Sequence, residues 1–272
     1  MTTMQIRRFG QLEYQAKEAF NTLCTNLFFT GADIKKIMLT STLPSEGKSF
    51  IGMNLMRALA EQGKRVVLVD ADIRASALQG SYEIKAITDD GSKYAGLTSY
   101  LSGSCTKEEI LAVTNIPNAW MILAGHNVSN SLPLLSSPRL GELLDWLSER
   151  FDVIIVDAAP AGTIIDAAQI VTNCDGTLFV VESGQVRRQE LKETIMQLEK
   201  TGKPVLGTVL NKYDERKYGN RNYYYHKSYY SKYYYRKYGY YRYGTDTNKT
   251  EKKSKKKNGE EEYSSRRSKD DD

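Results

Sequence analysis

The segment Thr42-Leu-Pro-Ser-Glu-Gly-Lys-Ser49 lies between an apolar run at 36–40 and an amphipathic stretch at 48–62. The run predicts a strand and the stretch a helix, so the segment is a strand-to-helix loop with Lys48 and Ser49 opening the helix. Few chain geometries suit such a loop. Its successive backbone N–H groups, from Ser45 to Phe50, converge on phosphate oxygens at a helix N-terminus. In this reading Lys48 bridges the outer phosphates of a nucleotide and the Ser49 hydroxyl ligates Mg²⁺. Pro44, Ser45, Glu46, Gly47, Lys48, Ser49 and Phe50 are the candidate nucleotide-binding positions. Thr42 and Ser45 stand where the strict pattern favours glycine, while Gly47 keeps the position of closest backbone approach. Taken alone, the same string also fits a polar turn that happens to contain Gly-Lys-Ser.

Further strands are expected at 65–70, 120–124, 151–157, 177–182 and 204–211, and helices at 11–28, 138–150, 164–172 and 186–200. Val66-Val-Leu-Val69 and Val153-Ile-Ile-Val156 are apolar throughout, as strands covered on both faces must be. In the last helix Leu191, Ile195 and Leu198 fall on one stripe. Thr106 and Glu109 have the spacing of a capping box. Strand–helix alternation of this kind predicts an α/β fold: a doubly wound, mostly parallel sheet flanked by helices, of the P-loop type.

Two of these strands end on acids. Asp70 and Asp72 follow Val66–Val69, and Asp157 follows Val153–Val156. Ligands of open α/β sheets bind beyond such strand ends. The spacing of two in an extended chain sends Asp70 and Asp72 to the same side. Asp72 and Asp157 are candidate Mg²⁺ ligands, with Ser49. Asp70 is the candidate base, since a phenol with a pKa near 10 is a poor nucleophile until its proton is taken. Arg74 is expected to pair with one of these acids or with phosphate. The alternative for any single aspartate is a helix cap or a solvated loop mouth.

Composition changes abruptly after residue 212. Fourteen of the nineteen tyrosines lie between Tyr213 and Tyr243, and no Leu, Ile, Val or Met follows Leu210. Residues 213–272 hold 17 Lys/Arg against 10 Asp/Glu, a net of +7 that leaves −2 for residues 1–212. Two regions are therefore expected: a folded domain over 1–212, and a basic, tyrosine-rich tail over 213–272 with too little apolar surface to offset its ordering entropy. A nucleotide loop and a phenol-rich tail on one chain suggest an enzyme carrying its own phosphoryl acceptor. The candidate acceptors are Tyr223, Tyr224, Tyr225, Tyr229, Tyr230, Tyr233, Tyr234, Tyr235, Tyr238, Tyr240, Tyr241 and Tyr243. Aromatics interleaved with Lys and Arg also suit binding of nucleic acid or polysaccharide. Beside the nucleotide loop, the acceptor reading stands ahead of nucleic acid.

Cys24, Cys105 and Cys174 are few, scattered and odd in number, which predicts reduced thiols of a cytoplasmic protein. Neither a leader-like start nor an uncharged run of membrane-spanning length is found. His126 and His226 have no Cys or His at metal-ligand spacing.

These residues together resemble the bacterial tyrosine kinases of capsular and exopolysaccharide synthesis, a deviant branch of the P-loop ATPases. The resemblance rests on Ser41–Ser49, the Val-Asp-Ala-Asp-Ile-Arg segment ending at Arg74, and Ile-Val-Asp-Ala-Ala-Pro ending at Pro160. Gly96–Gly103, Leu134–Pro138, Val209-Leu-Asn-Lys212 and the tyrosine cluster extend it over nearly the whole chain. It implies a kinase that uses ATP and Mg²⁺ and phosphorylates its own tail between subunits. Asp70 would act near the incoming tyrosine, Asp72 would help hold the metal, and Asn211 would read the nucleotide base. The implied partners are a separate transmembrane activator (a polysaccharide co-polymerase), further copies of the chain and a cognate tyrosine phosphatase. The implied location is the inner face of the cell membrane. Glu18 keeps one position of an interface motif in the first helix, but Asn21 and Cys24 replace its two arginines, so the resemblance stops short of that ring contact. Leu43 stands where partition-type ATPases carry a signature lysine, which favours the kinase branch. The alternatives are a positioning ATPase of that type with a membrane- or polymer-binding tail, and a non-catalytic polymer- or nucleic-acid-binding protein.

Overall fold

By contacts the chain divides into two units, Met1–Asp214 and Glu215–Asp272. The computed structural model describes residues 2–31, 33–162 and 165–213, all within the first. The candidate acceptor tyrosines and the tail expectation lie outside the described residues.

Among the described residues nine strands form one sheet: β1 (Thr2–Gln5), β2 (Lys36–Ser41), β3 (Val66–Asp70), β4 (Lys85–Thr88), β5 (Ala112–Thr114), β6 (Ala119–Ile122), β7 (Val153–Asp157), β8 (Gly176–Glu182) and β9 (Val205–Asn211). Their order is β4-β1-β5-β6-β3-β7-β2-β8-β9. The helices are α1 (Tyr14–Thr30), α2 (Lys48–Glu61), α3 (Leu78–Ser81), α4 (Leu97–Leu101), α5 (Lys107–Ile110), α6 (Leu132–Leu135), α7 (Pro138–Ser148), α8 (Asp166–Val171) and α9 (Arg188–Glu199).

From β6 to β9 every pairing is parallel, in line with the sequence reading. The alternation of side chains explains why the central strands are apolar at every position. Val66 and Leu68 of β3, with Val153 and Ile155 of β7, face a core that includes Phe20 and Cys24 of α1 and Leu55 and Leu59 of α2. Val67 and Val69, with Ile154 and Val156, face a second core built on Leu140, Leu143, Leu144 and Leu147 of α7. In α7 Pro138 occupies the first turn, where its missing N–H costs nothing, and the four leucines recur at helical spacing.

The strands β1, β4 and β5 escaped the sequence reading. They add an antiparallel element to the sheet, with β4 against β1 and β5 against β6. Each is short; β1 and β5 are buried only in part and β4 has no buried residue, so none has a long apolar run to reveal it. The capping box is present: the Thr106 N–H donates to Glu109 Oε2 at 2.6 Å. The three cysteines are free thiols, and burial pushes the Cys24 thiol up to about 11.

Candidate active site

The loop after β2 is braced from within. Glu46 is 1% exposed, and its carboxylate accepts the Leu43 N–H at 2.7 Å and the Glu182 N–H of β8 at 3.0 Å. Asn211, the last residue of β9, donates through Nδ2 to the Glu46 carbonyl at 2.9 Å. Lys212 Nζ donates to the Ser45 carbonyl at 3.0 Å and to Glu182 Oε2 at 2.7 Å. Ser45 adopts φ +64°, a left-handed conformation costing a non-glycine residue on the order of 1 kcal/mol, so this bracing holds a loop that is not at its local minimum. Gly47, at φ +96°, leads directly into α2, and a Cβ there would stand 2.1 Å from Asn211 Nδ2. Among the candidate nucleotide-binding positions, Glu46 and Asn211 thus engage one another, while Pro44, Ser45 and Phe50 are exposed.

The helix that follows places Ser49 against the end of β7. Ser49 Oγ donates to Asp157 Oδ2 at 2.6 Å. Asp157 is 2% exposed, and its other oxygen, Oδ1, has no hydrogen-bond partner among the described residues. Burial raises the Asp157 carboxyl to about 6; the Ser49 hydroxyl and the nearby Lys48 ammonium oppose that rise, and the Asp72 charge adds to it.

Asp70 ends β3, in register with Asp157 on the adjacent parallel strand. It is 1% exposed, and Ser76 Oγ donates to its Oδ2 at 2.5 Å. Burial first, then the Asp157 charge, raises the Asp70 carboxyl to about 8. Ser76 gave no signal in the sequence, because the turn that returns it to Asp70 has no apolar pattern.

Asp72 needs a correction. The strand stops at Asp70, so the extended-chain argument for a shared side does not reach it. Asp72 instead enters a turn in which its Oδ1 accepts the Ala75 N–H at 3.2 Å. Its charge still acts on both Asp70 and Asp157. Lys48, Ser49, Asp70, Asp72 and Asp157 therefore share one neighbourhood at the C-terminal edge of the sheet. Arg74 is also corrected. It pairs with neither Asp70, Asp72 nor Asp157, but with Asp166 of α8, at 2.8 Å. Glu18 lies exposed on α1, where Asn21 Nδ2 donates to its Oε1 at 3.1 Å.

The donor set fits a small hard cation. Ser49, Asp157 and Asp72 offer oxygen only, and the unpartnered Asp157 Oδ1 is a buried acceptor awaiting positive charge. Among the described residues no three His, Cys, Asp or Glu surround a metal position. A cation here would complete its shell with phosphate oxygens and water, the habit of Mg²⁺.

A strand–loop–helix turn with lysine and serine at its exit, facing acids on two neighbouring strand ends, defines a P-loop nucleotide-binding domain. The model of the CobQ/CobB/MinD/ParA nucleotide-binding domain matches residues 37–233. Tyrosine-protein kinase CpsD of Streptococcus pneumoniae is 37% identical over 216 residues, 79% of this chain and 92% of that protein. Tyrosine-protein kinase YwqD of Bacillus subtilis is 29% identical, over 71% of this chain and 80% of its own. The kinase domain of the Escherichia coli tyrosine kinase ETK superposes with a TM-score of 0.66 at 27% identity, covering 72% of this chain and 75% of that one. The chain belongs to the bacterial tyrosine kinases, within the CobQ/CobB/MinD/ParA nucleotide-binding domains. Among the described residues no helix is long and apolar enough to cross a membrane.

Proposed function

We propose that this chain is an ATP- and Mg²⁺-dependent protein-tyrosine kinase that phosphorylates its own C-terminal tyrosine cluster, between subunits. Residues 1–212 form the kinase domain and residues 213–272 the acceptor tail. The observation that supports this best is the Ser49–Asp157 contact at the mouth of the loop, beside Asp70 in register one strand away.

Lys48 and the loop N–H groups hold the phosphates, and Asn211 meets the base. Ser49, Asp72 and Asp157 would hold Mg²⁺, which when bound supplies positive charge against the phosphate oxygens. Asp70 accepts the phenol proton. A carboxyl raised to about 8 is far better matched to a phenol than one at 3.8, and its buried setting is what raises it. The phenolic oxygen then forms its bond to the γ-phosphorus as the bond to the ADP oxygen breaks.

Tethered to the domain, the tyrosines stay at high effective concentration near a neighbouring subunit's site. Each phosphorylation adds about −1.5 to −2 charges and erodes the +7 of the tail. That change would weaken contacts between copies, and a cognate phosphatase would restore them. In this reading the kinase sits at the inner face of the cell membrane through a transmembrane activator, a polysaccharide co-polymerase, and regulates capsular or exopolysaccharide synthesis and export.

The test is incubation of the full chain with ATP and Mg²⁺, followed by anti-phosphotyrosine detection. Strong signal is expected, lost in Lys48→Met and in a chain ending at Lys212. Phosphate release without phosphotyrosine would favour a positioning ATPase instead.

A further inference from the structure

Asp166 is 1% exposed at the start of α8, and the chemistry above makes no use of it. Its Oδ2 accepts from Arg74 Nε at 2.8 Å and from Ser131 Oγ at 2.5 Å, and its Oδ1 accepts from Arg74 Nη2 at 3.4 Å. The remaining guanidinium nitrogen, Nη1, donates to the Ser129 carbonyl at 2.9 Å. The same two segments are sewn together one residue earlier, where the Val128 N–H donates to the Ile73 carbonyl at 2.9 Å. A carboxylate buried this deeply is costly unless paired, and a forked, hydrogen-bonded arginine is the partner that meets that need.

The arrangement also decides where Arg74 is not. It follows Asp72 by two residues; its charge is held first by the hydrogen bond to Asp166, and the Asp72 charge adds to that. A free arginine so close to a carboxylate competes with a divalent cation for the same oxygens, and its planar fork can engage both. The backbone cannot remove that competitor, because both residues sit on one turn. Only an acid from elsewhere in the fold can hold the guanidinium away.

We propose that Asp166 is a positioning residue that keeps the Arg74 guanidinium turned from Asp72, leaving Asp72 free for the cation of the nucleotide site. The inference rests on the nucleotide-site reading above and adds its guard. It assigns Arg74 no contact with phosphate; the arginine is a captive charge.

The test uses the full chain and a fluorescent N-methylanthraniloyl-ADP probe, titrated with Mg²⁺, with circular dichroism to confirm folding. In Asp166→Asn the released arginine is expected to occupy Asp72 most of the time, raising the half-saturating Mg²⁺ about tenfold if it does so nine-tenths of the time. Nucleotide affinity in EDTA should not change. The double variant Arg74→Met/Asp166→Asn should return to within about twofold of the unaltered protein, because the competitor is gone. Two variants report without touching the buried acid. Arg74→Lys keeps the charge but loses the fork and should raise the Mg²⁺ requirement, while Arg74→Met should not. An unchanged Asp166→Asn, a double variant as weak as the single, or an Arg74→Met that itself binds Mg²⁺ poorly would each overturn the proposal. Absence of Mg²⁺-dependent probe binding in the unaltered chain would overturn the nucleotide-site reading instead.

Discussion

Asp70 and Asp157 stand in register at the ends of neighbouring parallel strands, both buried and both at the mouth of the phosphate loop. Two acids so placed cannot both ionise cheaply without a cation. Burial and then the Asp157 charge raise Asp70 to about 8, and burial raises Asp157 to about 6.

The first prediction concerns pH. Well below pH 3.8 both carboxyls are protonated in folded and unfolded chains alike. As pH rises the unfolded carboxyls ionise near 3.8, while the folded ones hold their protons to about 6 and about 8. The unfolded state binds fewer protons across that window, so stability falls as pH rises through it. Denaturant unfolding of the full chain in EDTA should show a declining midpoint between pH 4 and 8. Asp70→Asn should flatten the part between pH 6 and 8; an unaltered slope there would refute the assignment of Asp70 as the high-pKa group.

Ser49→Ala removes the only hydrogen bond donated to the Asp157 carboxylate among the described residues. Metal-free stability at neutral pH should drop by about 1–3 kcal/mol, and less at acid pH, where Asp157 protonates. The Asp157 carboxyl should rise further, since the serine hydroxyl holds it down. Mg²⁺-dependent nucleotide binding should weaken by about tenfold or more, because the hydroxyl is both a proposed cation ligand and the group that orients Asp157. Thermal melts with and without Mg²⁺ and nucleotide measure both effects.

Gly47→Ala meets two obstacles at once: a left-handed φ and Asn211 Nδ2 at 2.1 Å from the new methyl. Nucleotide binding by calorimetry should be lost or severely reduced. Adding Asn211→Ala relieves the collision and leaves the backbone strain, so recovery should be partial. Full recovery would show that the collision alone set the requirement for glycine.

Glu46→Gln swaps one of two accepting oxygens for a donor facing a backbone N–H. Either Leu43 or Glu182 loses its partner in a site 1% exposed. A cost of about 1–3 kcal/mol is expected, with a loop more open to proteolysis. Denaturant midpoints and limited digestion test it, and an unchanged midpoint would mean the strut is dispensable.

Much of the centre of this fold was legible in the sequence. Six of the nine strands were foreseen within about two residues, because Val66–Val69 and Val153–Val156 can lie only in strands covered on both faces. The convergence of Lys48, Ser49 and Asp157 followed from strand–loop–helix order and from acids at strand ends. The edge strands β1, β4 and β5 were not legible, since an edge needs little apolar surface. The extended-chain argument for Asp72 failed for a local reason, since the strand ends two residues before it, although its charge still acts on Asp70 and Asp157.

Local pattern alone determined the buried strands, the loop that leaves one of them, and the acids waiting at their ends, because periodicity and burial are properties of short segments. Tertiary structure alone decided that Glu46 braces its own loop against Glu182, 136 residues away, and that Arg74 is claimed by Asp166, 92 residues on. Such pairings arise where separate elements happen to meet. A charged side chain carries no mark of which partner the packing will bring to it.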